Sequence, residues 1–154
     1  MKGKLRMTRS IDRRLVVAVL AATLATAATA GLFGRSDVQR PAAGEFGLGP
    51  RASAKHTYTA TLRPPQPLRL REMQSVPVLI SDMAGRPIEG ATISIDGGMP
   101  EHGHGLPTRP RVKTLAAGVY EIEGVRFNMG GWWELKLAIA SAAGEDTVTF
   151  NLSL

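Results

Sequence analysis

From His56 to the C-terminus, apolar and polar residues alternate with a period of two, and this pattern restricts the chain to strands. For example, Trp133, Leu135 and Leu137 alternate with Glu134 and Lys136. Successive side chains of a strand point to opposite faces, so the pattern is typical of strands with one buried face. Turns containing Gly, Asp or Pro separate the alternating runs, and no stretch in this half shows a helical stripe. The sequence therefore predicts an all-β, antiparallel β-sandwich of about seven strands over residues 56–154. The predicted strands cover residues 57–62, 76–80, 91–96, 111–115, 120–123, 133–139 and 147–154.

The expected strand directions predict which loops lie together. If successive strands run antiparallel, then Met73, the loop 98–110 and the loop 128–131 lie at one end of the sandwich. His56 lies near the opposite end by the same count. Loops at one end of a sandwich commonly form binding sites.

The positive charge of the chain is confined to its N-terminal segment. The formal net charge is +6, but residues 1–35 hold seven Lys or Arg and one Asp. Residues 36–154 hold twelve basic and twelve acidic residues, so the rest of the chain is balanced. Without a basic surface on the predicted domain, we expect no nucleic-acid partner.

The N-terminal segment predicts export. Six Lys or Arg precede residues 15–33, which carry no charge, and Ala28-Thr29-Ala30 resembles a signal-peptidase site. Residues 1–30 are therefore predicted to be a secretory signal peptide or an uncleaved signal-anchor helix, which enters the membrane at least transiently. Both alternatives make the protein periplasmic or extracytoplasmic, either released or tethered to the inner membrane. The Gly- and Pro-rich residues 31–55 are predicted to be a flexible linker.

The loops at the predicted site end carry donors that suit copper. Met99, His102 and His104 lie within six residues, and Met129 lies on the neighbouring loop. Thioether and imidazole donors suit copper, and a chain with no Cys must rely on them. We therefore predict a copper site formed by Met99, His102, His104 and Met129. The alternative is that the methionines only cap the core and that one histidine forms a hydrogen bond to a backbone carbonyl.

Enzyme chemistry has little support in the sequence. There is no nucleophile elbow and no phosphate-binding loop before a helix. We therefore predict no catalytic residues, and we expect that the protein is not an enzyme. The parity of Trp133 places it in the core, whereas Trp132 is expected to lie outward or at the loop rim, where it could anchor a partner.

The order of motifs resembles a known family. Residues 99–108 (Met-Pro-Glu-His-Gly-His-Gly-Leu-Pro-Thr), 118–120, 127–129 and 131–135 resemble the YtkA-like domain, which is related to FixH-like proteins. The turn at 82–87 also fits, and the resemblance covers about residues 73–154. It implies an extracytoplasmic, immunoglobulin-like sandwich, and some members occur in metal-handling or oxidase-assembly settings. Gly130 is a departure, because many relatives have Pro there.

Two functions therefore remain open. The first is a periplasmic copper-binding domain with a metal-handling partner. The second is a metal-free interaction or accessory module beside a membrane complex.

Overall fold

The computed structural model of the protein describes residues 38–154. The predicted signal or anchor segment 1–30, and the first residues of the predicted linker, lie outside this range. Within it, the strands are β1 (Arg51–Ala52), β2 (Tyr58–Leu62), β3 (Gln74–Asp82), β4 (Thr92–Met99), β5 (His104–Gly105), β6 (Arg111–Ala116), β7 (Val119–Val125), β8 (Trp132–Ser141) and β9 (Gly144–Ser153). Two short 3-10 helices cover Ala43–Glu45 and Pro100–His102. Residues 38–154 include no helix with the length and apolar character that spanning a bilayer requires.

The strands form two antiparallel sheets that pack as a sandwich. The five-stranded sheet has the order β1-β2-β3-β7-β6, and the four-stranded sheet has the order β5-β4-β8-β9. The prediction of an all-β sandwich is confirmed, and each of the seven predicted strands corresponds to one of the longer strands. The two-residue strands β1 and β5 were not predicted, because two residues cannot show an alternating pattern.

The core lies between the sheets and is built from the alternate residues of the long strands. Trp133 is buried in it and meets the Phe127 ring edge-on, with 5.2 Å between ring centroids. The indole N–H of Trp133 donates to the carbonyl oxygen of Met129 at 3.0 Å. The prediction that Trp133 is a core residue is confirmed.

Trp132 faces the other side of its sheet, as its parity predicts, but it is only 2% exposed. Phe46 packs edge-on against its ring with 6.5 Å between centroids, and its indole N–H donates to Asn151 Oδ1 at 3.1 Å. Trp132 therefore faces outward as predicted, but the prediction that it is open to anchor a partner is wrong. A segment far away in the sequence covers this residue.

That segment is the part of the predicted linker that the structure describes. Phe46 forms a parallel bridge with Asn151, and the Gly47 N–H donates to the Asn151 carbonyl oxygen at 2.9 Å. Further on, β1 pairs with β2, and the Ala54 N–H bonds to the Thr147 carbonyl oxygen at 2.9 Å. The ordered domain therefore begins before His56, and residues 46–55 are not a flexible spacer.

Asp146 fixes the turn between β1 and β2 to the β9 strand. Its buried carboxylate accepts the backbone N–H of Lys55 at 3.0 Å, that of Thr57 at 3.2 Å and that of Thr147 at 2.8 Å. Burial opposes ionisation, but hydrogen bonds from the Ser53 side chain and from these N–H groups outweigh it. They hold the pKa of Asp146 well below its ordinary value. Asp146 is therefore a charged acceptor that joins the N-terminal turn to the second sheet.

Candidate metal site

The loops predicted to lie together do share one end of the sandwich. At this end β3 begins and β7 ends, since Gln74 is paired with Val125. The end of β4 is paired with the beginning of β8 through Gly98 and Glu134. The strand register therefore places Met73, the loop after β4 and the loop before β8 at the same end. We call it the loop end.

His56 lies at the opposite end. It lies two residues before Tyr58, the first residue of β2, which is paired with Asp82 at the end of β3. The strand register thus separates His56 from the other two histidines by the length of the sheet, as predicted.

The histidine turn is formed by a reversal of the chain at the end of β4. The 3-10 helix begins at Pro100, whose fixed φ suits a first helical position. Gly103 then adopts a left-handed conformation with φ of 64°, which glycine allows at little cost. The chain returns along β5, so that His104 is paired with Met99. This reversal brings the two imidazoles onto the same turn.

A second glycine makes the reversal possible. A Cβ atom at Gly98 would collide with the backbone carbonyl oxygen of His104 on the adjacent strand β5. Only a residue without a side chain allows β5 to approach β4 this closely. Gly98 therefore positions His104 even though it offers no ligand.

The structure brings the two imidazoles together. The rings of His102 and His104 lie 6.0 Å apart between centroids, with 23° between their planes. Both side chains are exposed. Imidazoles that bind one ion at about 2.0 Å have ring centroids roughly 5–6 Å apart, so the spacing alone is within reach of a common ion. Because the rings are stacked, their in-plane lone pairs do not converge, and the side chains must rotate before both can bind the same ion.

Two of the acidic groups near this turn are paired with cations. Glu101 Oε1 lies 3.4 Å from Arg40 Nη1, and Glu134 Oε2 lies 2.8 Å from Lys136 Nζ. Within residues 38–154, no three His, Asp or Glu residues are grouped as metal ligands. Structural zinc takes four protein ligands, most often Cys and His, so the two histidines of this turn do not by themselves complete such a site.

The two methionines of the predicted site have different surroundings. Met99 is 1% exposed and belongs to the core cluster, and its terminal methyl lies under Gly131. Met129 is 41% exposed at the loop end. Its thioether is accessible to solvent, whereas that of Met99 serves packing.

Arg40 is a residue near this site that the sequence did not reveal. Besides its contact with Glu101, its guanidinium lies over the Phe46 ring, 5.6 Å from the centroid. The segment that covers Trp132 therefore also touches the helix that carries His102. The aromatic residue Phe46, in a Gly- and Pro-rich stretch, was the available signal.

Fold and site together define a two-sheet β-sandwich with a histidine turn at its loop end. The sequence matches the model of the YtkA-like family over residues 52–138, which is more than half of the chain. The chain therefore belongs to the YtkA-like family, and the resemblance found in its motifs is confirmed.

Two further comparisons add little. A solved structure described as a "ZirS C-terminal Domain" is similar at 11% identity with a TM-score of 0.37, covering 99% of this chain and 97% of that chain. A search of curated proteins found no match to this sequence.

Proposed function

We propose that this protein is an extracytoplasmic copper-binding module of the YtkA-like family, with His102 and His104 as its main ligands. The carrying observation is the pair of exposed imidazoles with 6.0 Å between their ring centroids. Imidazole donors suit both oxidation states of copper. A site with only two strong donors favours Cu(I) over zinc. Met129 is the thioether that can complete the site, because it is exposed at the same end.

The turn suits reversible binding rather than burial of an ion. Both histidines are exposed, and their backbone is held by Gly103 and by the pairing of β5 with β4. Because the rings are exposed, a change of rotamer can turn the donors toward an ion without disturbing the core. We infer a role in holding or transferring copper beside a metal-handling partner, with no catalytic step.

A competition titration tests this proposal. The full chain is titrated with Cu(I) against a chromophoric chelator, and the fraction bound is read from the chelator's absorbance. We expect the double variant His102→Ala/His104→Ala to lose binding, because two of the strong donors are removed. The variant His56→Ala, altered at the other end of the sheet, should bind as the wild type does. An unchanged affinity in the double variant would refute the proposal.

The supposed location outside the cytoplasm needs its own test. YtkA-like proteins are in general extracytoplasmic, and the N-terminal segment has the composition of an export signal. A fusion of residues 1–55 to a reporter that is active only outside the cytoplasm should give activity. An intact but inactive fusion in the cytosol would contradict export.

The loop end also favours a second function, a metal-free interaction module beside a membrane complex. Leu70, Met73 and Met129 are large apolar residues that remain exposed. Gly130 lies near the Leu70 side chain, and Gly124 lies near that of Met73, so both belong to the loop end. If the protein has this function, it should retain no copper in competition with the chelator. This function also predicts that Met73→Ser together with Met129→Ser abolishes co-purification with a membrane complex, whereas Met83→Ser, at the opposite end, does not.

A further inference from the structure

The strand β4 has no strand partner along most of one edge in the part of the chain that the structure describes. On one side, Thr92 to Gly98 pair with β8 without a register shift. On the other side, β5 pairs only with Gly98 and Met99. Residues 92–96 are therefore an edge of the four-stranded sheet, which we call the β4 edge.

The directions of the backbone groups on this edge follow from one hydrogen bond. The carbonyl oxygen of Gly97 accepts the Leu106 N–H at 3.0 Å, so Gly97 directs its backbone groups away from β8. In an antiparallel strand, every second residue directs both its N–H and its C=O to the same side. Ile95 and Ile93 therefore direct their backbone groups to the β4 edge as well.

These four backbone groups have no strand to pair with in the part of the chain that the structure describes. The neighbouring groups on the same side do have partners, since the Ala91 N–H donates to the Tyr120 hydroxyl at 3.1 Å and Gly97 is bonded to Leu106. The side chains of Ile93 and Ile95 pack against the core. The β4 edge thus offers two donors and two acceptors, in register, from residues whose side chains pack against the core.

The strand β6, at the edge of the five-stranded sheet, differs from β4 in its charges. On β6, Arg111 and Lys113 are exposed, opposite Glu123 and Glu121 of β7. Charged side chains on edge strands are a common protection against pairing with another chain. Residues 92–95 of β4 have no charge, and Asp96 is the one charged residue of this edge. The β4 edge is therefore the unprotected one of the two.

We propose that the β4 edge pairs with the β4 edge of a second copy of this chain, antiparallel and across a two-fold axis. Ile93 then lies opposite Ile95 of the partner subunit, and Ile95 lies opposite the partner subunit's Ile93. Each of these two pairs exchanges two N–H···O=C bonds, so that all four free groups on both copies are satisfied. The two four-stranded sheets become one continuous sheet.

The self-pairing register is fixed by the groups that are already bonded. A shift toward the C-terminal end would require the Gly97 carbonyl oxygen, which Leu106 occupies, and the opposite shift would require the Ala91 N–H, which Tyr120 occupies. Pairing centred on Ser94 uses neither group. It places Asp96 opposite Thr92 of the partner subunit, so no like charges face each other. The balanced charge of residues 36–154 adds no strong repulsion between copies.

The absence of cysteine from the chain allows a direct test of this register. In it, Ser94 faces Ser94 of the partner subunit at a non-hydrogen-bonded site, where the Cα atoms lie about 4.5 Å apart. A disulfide needs a Cα separation of about 4.4–6.8 Å, so Ser94→Cys should cross-link. Ala138→Cys is the matched control, because Ala138 pairs with Ser94 on the same exposed face but lies one strand further in. Its two copies would be roughly 14 Å apart.

The experiment uses the full chain in detergent or native membranes, oxidised with diamide and resolved on a non-reducing gel. We expect Ser94→Cys to form the disulfide dimer at least about tenfold faster than Ala138→Cys, since pairing raises the effective thiol concentration. Mixed Thr92→Cys and Asp96→Cys chains should also cross-link with each other, whereas Thr92→Cys alone should not. Equal rates for Ser94→Cys and Ala138→Cys would overturn the proposal.

A second measurement does not depend on cysteine chemistry. In sedimentation of the full chain, Ser94→Lys should shift the protein to the monomer, because it places two ammonium groups opposite each other. Ala138→Lys adds the same charge on the same face and should leave the dimer intact. A monomeric wild type, or a dimer that persists in Ser94→Lys, would refute pairing through the β4 edge.

Discussion

Trp132 provides a sharp test of the structure, because its burial depends on a segment that is remote in the sequence. The substitution Trp132→Ala removes the ring that Phe46 packs against, and it leaves Asn151 Oδ1 without its indole donor. An exposed residue at a loop rim would be replaced at little cost. Replacing a residue that is only 2% exposed costs considerably more.

The expected magnitude follows from that burial. Replacing a buried Trp with Ala costs about 3–5 kcal/mol in the free energy of unfolding. Trp132 lies outside the main core cluster and is covered by Gly-rich chain that can partly collapse into the cavity. We therefore expect about 3 kcal/mol for Trp132→Ala, at the low end of this range, and a larger loss for Trp133→Ala. Aromatic pairs add about 0.5–1.5 kcal/mol beyond burial, which is the coupling expected between Trp132 and Phe46.

The assay is equilibrium unfolding of the full chain in urea, followed by far-ultraviolet circular dichroism so that the loss of indole fluorescence does not interfere. A double-mutant cycle with Phe46→Ala isolates the contact between the two rings. If Trp132→Ala cost less than about 1 kcal/mol, as substitutions at exposed positions usually do, the N-terminal segment would not cover this ring. A cycle with no coupling would also count against the contact.

Three further predictions concern the turn, the carboxylate and the thioethers. Gly98→Ala should destabilise the fold by about 1–3 kcal/mol through overpacking, and it should weaken Cu(I) binding because β5 must move away. An unchanged melting temperature together with an unchanged copper titration would contradict this. The pKa of Asp146 is held below its ordinary value, so its carboxylate stabilises the fold above about pH 4, and this contribution is lost as the pH falls further. In thermal unfolding, Asp146→Asn should therefore melt at a lower temperature than the wild type at pH 7. Between pH 5 and 3, roughly the window in which a free Asp titrates, it should lose less stability than the wild type. Parallel curves of melting temperature against pH for the two proteins would exclude this role. Met99→Leu should leave the Cu(I) affinity unchanged, whereas Met129→Leu should reduce it. The opposite order in the chelator titration would assign the thioether ligand to Met99.

The core and the strands could be predicted from the sequence because a strand reports its burial locally. Along β8, each second residue is apolar, so the pattern alone placed Trp133, Leu135 and Leu137 in the core, where they lie. The same alternation, combined with antiparallel order, placed the loop after β4 beside the loop before β8. The motifs in these loops were also sufficient to indicate the YtkA-like family.

Tertiary structure alone decided how the candidate site is arranged. Met99 and Met129 look alike as soft donors in the sequence, but one thioether lies in the core and the other is exposed. The distance between the His102 and His104 rings depends on the reversal at Gly103 and on the pairing of β5 with β4. The sequence pattern does not show which of the two methionine side chains turns into the core. It also does not show β5, because a strand of two residues has no periodicity.

The N-terminal segment shows the same limit on a larger scale. Phe46 is a single aromatic residue among Gly, Ala and Pro, so its local sequence resembles a spacer. It nevertheless packs on Trp132, more than eighty residues further along the chain. The alternation of a strand determines which face each side chain occupies. Whether an outward face meets water or another part of the chain depends on contacts between distant residues, and these form only when the whole domain folds.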